Sequence, residues 1–261
     1  MSGAAASGQA DGAAIERIFP DPVSDASDAQ LLDWYAAEAP AGRPWVRFNF
    51  VASADGAATH NGLSGQLGDA ADHRVFALLR RLADVIVVGA GTIRAEGYAG
   101  ELVSEADRQW RVAHGKPAHP HFAIVSGSLD LDPAGELFAI SPVRPLVVTT
   151  RLADPGRLAE FAGVADVLIA GERSVDVDAM LAELDARGHR QVLSEGGPHL
   201  LGSFEQAGRV DELCLTVSPL LVGGRNPRVA VTAMEFPLRH LTLAQVLRAD
   251  STLILRYTAA N

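Results

Sequence analysis

The stretch Asp84-Val85-Ile86-Val87-Val88-Gly89 constrains the fold more than any other. Its four aliphatic residues show no polar alternation, so a strand built from them must be covered on both faces. The preceding segment, 69–82, sets Val75, Phe76, Leu78, Leu79 and Leu82 on one face at helical spacing. The same rhythm recurs, with strands predicted near 45–54, 122–125, 146–150, 167–170 and 191–193 and helices near 155–161, 178–187 and 198–206. Such βα alternation gives an α/β fold with a mostly parallel central sheet between two helical layers, because each crossover returns over one face. Segments 209–222 and 251–257 read as strands joined by loop and a short apolar stretch, an antiparallel C-terminal edge. At 261 residues the chain suits one such domain, over 44–261. It is preceded by an arm, 15–43, with a short helix near 28–38, and by a flexible tail, 1–14, with neither basic flank nor apolar centre.

Composition removes several classes of function. The 22 Lys and Arg against 32 Asp and Glu leave a net charge of −10, which opposes sequence-independent binding to nucleic acid or anionic membranes. The longest uncharged apolar run, from Leu213 to Gly224, has 12 residues and contains Pro219, too short to span a bilayer. A soluble, cytoplasmic protein is expected. Cys214 is the only cysteine, which excludes intrachain disulfides and Cys-rich metal sites, and it is expected in the core. Lys116, the only lysine, lies between Gly115 and Pro117, a poor place for imine or phosphate-loop chemistry. His114, His119 and His121 flank prolines without a fixed carboxylate, so no metal is expected. Ser194 lacks the flanking glycines of a nucleophile elbow.

Four segments could carry chemistry. The first, read as a loop, is Gly89-Ala90-Gly91-Thr92-Ile93-Arg94-Ala95-Glu96-Gly97-Tyr98, after the most buried strand, where glycine lets backbone amides approach a phosphate. Arg94 occupies the third glycine position of the dinucleotide fingerprint, which disfavours an ordinary Rossmann dehydrogenase. The second is Ser194-Glu195-Gly196-Gly197-Pro198-His199-Leu200-Leu201, in which Pro198 opens a helix whose free amides would face a pyrophosphate, with Glu195 in reach of a ligand ring. The third, from Asn49 to Gly56, offers small residues to a flat ring, and its Asp55-Gly56 reads as a structural turn. The fourth, from Ser218 to Arg225, is a strand end and glycine turn that would border the same cleft.

In this order the motifs resemble the RibD C-terminal domain family, the reductase half of the bifunctional deaminase–reductase of riboflavin biosynthesis, which has a dihydrofolate reductase-like fold. The resemblance runs from Pro44 to Tyr257. It is carried by Ala52-Ser53-x-Asp55-Gly56, Leu79-Arg80, Ala83-Asp84-Val85-Ile86, Gly89-x-x-Thr92, Glu195-Gly196-Gly197-Pro198, Val210-Asp211-Glu212-Leu213 and Pro219-Leu220-Leu221-x-Gly223-Gly224. It implies a stand-alone, homodimeric reductase that binds NADPH and a small heterocyclic substrate. The cofactor positions it implies are Val51, Ala52, Gly89, Thr92, Glu96, Ser126, Gly196, Gly197, Pro198, His199, Leu200 and Leu201, and the substrate positions are Ser64, Arg80 and Glu195. Glu195 and Asn49 occupy the catalytic positions.

Asn49 stands where the family has a lysine, and an amide neither donates a proton readily nor neutralises an anion. Glu96-Gly97-Tyr98 replaces the family's Asp-Asp-Pro. The resemblance implies reduction of 5-amino-6-(5-phosphoribosylamino)uracil. Two alternatives stand beside it: reduction of dihydrofolate, with Glu195 on the aminopyrimidine edge of the pterin and Arg80 on the glutamate tail, and a catalytically degenerate NADPH-binding module.

Overall fold

The computed structural model describes residues 13–98 and 100–260. Most of the expected tail therefore lies outside the described residues. In chain order the elements are β1 (Glu16–Phe19), α1 (Asp28–Tyr35), β2 (Trp45–Ser53), α2 (Ala70–Leu82), β3 (Val85–Gly89), α3 (Ala90–Glu96), α4 (Glu105–Ala113), β4 (His121–Val125), α5 (Glu136–Ile140), β5 (Leu146–Thr149), α6 (Pro155–Val164), β6 (Asp166–Ile169), α7 (Val177–Ala186), β7 (Gln191–Ser194), α8 (Pro198–Ala207), β8 (Glu212–Ser218), β9 (Leu241–Ala249) and β10 (Thr252–Ala259). The strands form one sheet in the order β1-β9-β10-β8-β2-β7-β3-β4-β5-β6. From β8 to β6 every pairing is parallel, and β10, β9 and β1 add an antiparallel extension.

The aliphatic run behaves as its composition demands. Ile86 and Val88 enter the core on one face of the sheet, Val85 and Val87 the core on the other, and all four are fully buried. The first core takes in Leu31, Leu78, Leu79, Ile124 and Phe161, and the second Phe48, Leu146, Met180, Leu184 and Phe204. Strand β7 returns between β2 and β3, so the chain reverses direction at the sheet's centre. In open α/β sheets the crevice beyond the carboxyl ends at such a switch point is where ligands bind.

Three sequence expectations change. Segment 89–98 is not a loop: Ala90–Glu96 forms α3, closed by Gly97 in the left-handed region at φ 73°. Helix α4, with a Ser104–Asp107 capping box, was not anticipated. The stretch between the last two anticipated strands contains β9, five of whose nine residues are Leu or Ala, both helix formers. Pairing with β10 across the Asp250 turn overrides that local preference.

The arm is built into the sheet. Strand β1 pairs with β9, and α1 buries Leu31, Leu32 and Tyr35. Helix α1 has no cation in its last turn, and the domain supplies two: Arg47 donates to the Tyr35 carbonyl and Arg256 to the Trp34 carbonyl, each at 2.5 Å. Both arginines converge on the fully buried Glu212, which also receives the Trp45 indole N–H at 3.1 Å and the Cys214 thiol at 3.3 Å. Burial works to raise the Glu212 pKa, and the two guanidinium groups overcome it and hold the carboxyl below its ordinary value.

Candidate active site

At the carboxyl ends of the parallel strands lies a cleft of about 910 Å³, at the upper end of the size range of small-molecule sites. Register places its floor. Phe48 on β2 is level with Ser194 on β7, which sets Asn49 alongside Glu195, and Val51 is level with Thr216 on β8. Asn49 and Val51 are partly exposed in this cleft, whereas the Ala52 side chain is buried and does not line it.

Glu195 organises one end. Arg80, from α2, grips it through Nε to Oε1 at 2.6 Å and Nη2 to Oε2 at 2.7 Å, and the Tyr98 hydroxyl donates to Oε2 at 2.9 Å. The third arm of the guanidinium donates to the Leu102 carbonyl at 3.0 Å, and its plane lies 4.3 Å over the Phe76 ring. Burial works to lower the Arg80 pKa, and the Glu195 carboxylate more than reverses it. Burial, reinforced by that carboxylate, raises the Tyr98 phenol far above its ordinary value, so Tyr98 stays a donor. Sequence reasoning set Arg80 against a ligand anion and Glu195 against a ligand ring; the geometry sets them first against each other, as a preformed bidentate pair. Tyr98 was noted only as a departure from the family motif. Glu96 is likewise engaged, its Oε1 accepting from the Ser64 N–H at 2.7 Å and hydroxyl at 2.8 Å, which ties the 59–68 loop to the end of α3.

The glycines at the centre are required by close approach. A Cβ on Gly197 would fall 2.7 Å from Thr92 Oγ1, and Gly196 adopts φ 106° beside the Phe50 ring. The amide supply is smaller than the sequence suggests: Gly89 N–H is spent on the Gly196 carbonyl at 2.9 Å, and Leu200 and Leu201 N–H both return to the Gly197 carbonyl. Pro198 has no N–H, and the Leu201 side chain is buried in the core. Helix α8, which no side chain caps, therefore offers the cleft its His199 N–H. Ser126, after β4, lines the far end with Gly127 and Ser128. The residues thus fit an extended dinucleotide: Gly197 leaves the room a side chain would fill, and the uncapped helix end faces it.

Asp55 plays the structural part expected. It accepts from Ser53 Oγ, Val222 N–H and Gly223 N–H, and these three bonds hold its carboxyl at a pKa of about 2. The fourth segment thereby braces the β2 turn rather than the cleft, which its neighbour Pro227 lines. Asp72, missed from sequence, does line the cleft from the first turn of α2. His121 faces His189 at the opposite end of the sheet, and His114 stacks on Trp110.

A mostly parallel α/β sheet with a preformed Arg–Glu–Tyr cluster facing a glycine-lined groove has the form of an enzyme site that takes an extended small-molecule ligand. The profile of the RibD C-terminal domain matches residues 44–255, and the chain belongs to that family. It is 32% identical over 196 residues to the 2,5-diamino-6-ribosylamino-4(3H)-pyrimidinone 5′-phosphate reductase of Methanothermobacter thermautotrophicus, covering 72% of this chain and 84% of that one. The enzyme of the same name from Archaeoglobus fulgidus is 30% identical over 185 residues, covering 70% and 84%. A pyrimidine reductase-like protein from Corynebacterium diphtheriae superposes with a TM-score of 0.75 at 27% identity, covering 84% of this chain and 92% of that one. The chain is thus a reductase of the riboflavin-pathway type, which works with a nicotinamide cofactor, and this reading is favoured over a folate reductase or a degenerate binding module. Among the described residues no helix is long and apolar enough to cross a membrane.

Proposed function

We propose that this protein reduces 2,5-diamino-6-ribosylamino-4(3H)-pyrimidinone 5′-phosphate with NADPH, opening the ribosyl group to a ribityl chain. The Arg80–Glu195–Tyr98 cluster beside the Gly196-Gly197 approach carries this reading, because it fixes a charged, hydrogen-bonding wall next to two residues without side chains, where a ligand can approach the backbone. The bound cofactor supplies the hydride. Thr92 and the His199 N–H hold its pyrophosphate region, while Ser126 and Ser128, with Arg94 at the same end, recognise the 2′-phosphate. Glu195 fixes Arg80 and Tyr98 beside the substrate, and Ser64, held by Glu96, lines the same cleft. The diaminopyrimidinone is preferred to the aminouracil because the relatives at 30% identity or more carry that substrate in their names.

The antiparallel extension supports a homodimer. Leu215, Leu255 and Tyr257 stand on one sheet face with Leu241 and Leu243, the last two 38% and 37% exposed. A second copy covers this face, and Leu243→Glu should yield monomers in light scattering. A cytoplasmic location belongs to the same proposal, since the named relatives are biosynthetic reductases. Oxidation of NADPH by the purified protein, with the diaminopyrimidinone and aminouracil phosphates and dihydrofolate offered separately, tests the substrate; turnover confined to dihydrofolate would overturn it.

A further inference from the structure

Opening a ribosylamine requires a proton at the sugar oxygen as well as a hydride at the sugar carbon, and the carboxyls named so far are engaged elsewhere. Glu195 is held by Arg80 and Tyr98, Glu96 by Ser64, and Asn49 carries an amide. Lys116, paired with Asp84, lies at the other end of the sheet. Of the other carboxyls lining the cleft, Glu101 is half exposed and paired with Arg108, which leaves Asp72. Asp72 is buried to 8% exposure, lines the cleft, and makes its single side-chain hydrogen bond among the described residues with the Thr216 hydroxyl, 2.6 Å from Oδ1. Oδ2 accepts no hydrogen bond among the described residues and lies beside Gly68, which also lines the cleft.

The placement is specific. Thr216 is level with Val51, two residues beyond Asn49, and Asn49 lies alongside Glu195, so Asp72, Asn49 and Glu195 face one floor in a row. Arg80 follows Asp72 by eight residues on α2, about 12 Å along the helix axis at 1.5 Å per residue. That separation accommodates a pyrimidine ring and its sugar between the Arg80–Glu195 pair and Asp72. The start of α2 is itself fixed: Asp69 Oδ1 accepts from the N–H groups of Ala71 and Asp72, and Thr252 donates to Oδ2.

Resting on the proposed ribosylamine substrate, we infer that Asp72 is the general acid of the reduction. Its carboxyl proton passes to the ring oxygen O4′ as the C1′–O4′ bond breaks, with the electron pair staying on oxygen. The exocyclic nitrogen lone pair forms the C1′=N bond of an iminium, and hydride from the nicotinamide cofactor completes the C1′ methylene. The net consumption is one hydride and one proton, and Asp72 is reprotonated from solvent. Burial raises the Asp72 pKa, and the adjacent Asp69 carboxylate adds to this, while the Thr216 bond and the nearby His73 act against it. A raised pKa widens the pH range over which Asp72 carries its proton.

The test compares Asp72→Asn, Asp72→Glu and His73→Asn with the wild type, measuring kcat, KM and its pH profile on the ribosylamine phosphate and, separately, NADPH affinity by fluorescence titration. Asp72→Asn should lower kcat by about 10²–10⁴-fold, leave the NADPH Kd within about twofold, and remove the loss of kcat expected of the wild type at alkaline pH. Asp72→Glu should restore part of the rate, and His73→Asn should keep the wild-type profile. Wild-type turnover with an unaffected Asp72→Asn, a profile that follows His73, or a parallel loss of NADPH binding overturns the role of Asp72 alone. A wild type silent on every ribosylamine phosphate overturns the functional reading and this role with it.

Discussion

Replacing Glu195 with glutamine keeps the shape of the side chain and removes its charge. Glu195 is 1% exposed at the side chain and accepts three hydrogen bonds, two of them from Arg80, itself 18% exposed. Glutamine turns one oxygen into an NH₂ that faces a guanidinium N–H, so one charge-assisted bond is lost and a cation is left unbalanced. The bond is worth about 1.5–3 kcal/mol, and stranding a fully buried charge costs about 3–5 kcal/mol. Arg80 keeps the Leu102 carbonyl and some contact with solvent, which places the cost near the lower bound of that range, about 3 kcal/mol. At about 2–4 °C per kcal/mol for a domain of this size, the midpoint should fall by about 6–12 °C. Thermal unfolding followed by circular dichroism reads that fall. In parallel, kcat/KM for the ribosylamine phosphate should drop by about 100-fold or more, with the NADPH Kd changed less than about twofold. An unchanged midpoint would refute the bidentate pair, and equal losses of NADPH affinity and turnover would move Glu195 to the cofactor's side of the cleft.

Other consequences follow from the same structure. Gly197→Ala places a Cβ 2.7 Å from Thr92 Oγ1 and should cost about 1–3 kcal/mol of stability as well as NADPH affinity; in the double variant with Thr92→Ala the stability cost should shrink, and strict additivity in chemical denaturation would refute the close contact. Glu212 is a carboxyl with a lowered folded-state pKa, so its stabilisation is present above its unfolded pKa and is lost as pH falls through the folded one. Glu212→Gln should therefore cost about 3–5 kcal/mol at pH 7, with the gap to the wild type closing in acid denaturation series; a constant gap would contradict the sign. Asp72 has the opposite sign, stabilising below its unfolded pKa and losing that contribution as pH rises through its raised folded pKa. Asp72→Asn should thus gain midpoint over the wild type as pH rises from 5 toward 8, and a loss that grows with pH would refute the burial argument.

Much of the sheet was legible because its signals were local. The run from Val85 to Val88 needs cover on both faces whatever surrounds it, and Gly197-Pro198 announces a helix start from two residues. Strand β9 was not legible, since Leu241–Ala249 has the composition of a helix and becomes a strand only through β10. In the site, the glycines and Glu195 were readable as a motif. The mutual engagement of Arg80 and Glu195, 115 residues apart in sequence, was not. Nor was the spending of the Gly89, Leu200 and Leu201 amides, which depends on where the Gly196 and Gly197 carbonyls turn. Asp72 reads in sequence as one more acid in a helix's first turn; only its burial against Thr216 singles it out.

Reduction of ribosylaminopyrimidine phosphates is read by following NADPH absorbance with the purified protein and 2,5-diamino-6-ribosylamino-4(3H)-pyrimidinone 5′-phosphate, and identifying the product by mass. Stoichiometric NADPH oxidation and a product two mass units heavier than the substrate are expected. NADPH that binds but is not oxidised with this substrate or its deaminated counterpart would contradict the proposed reduction.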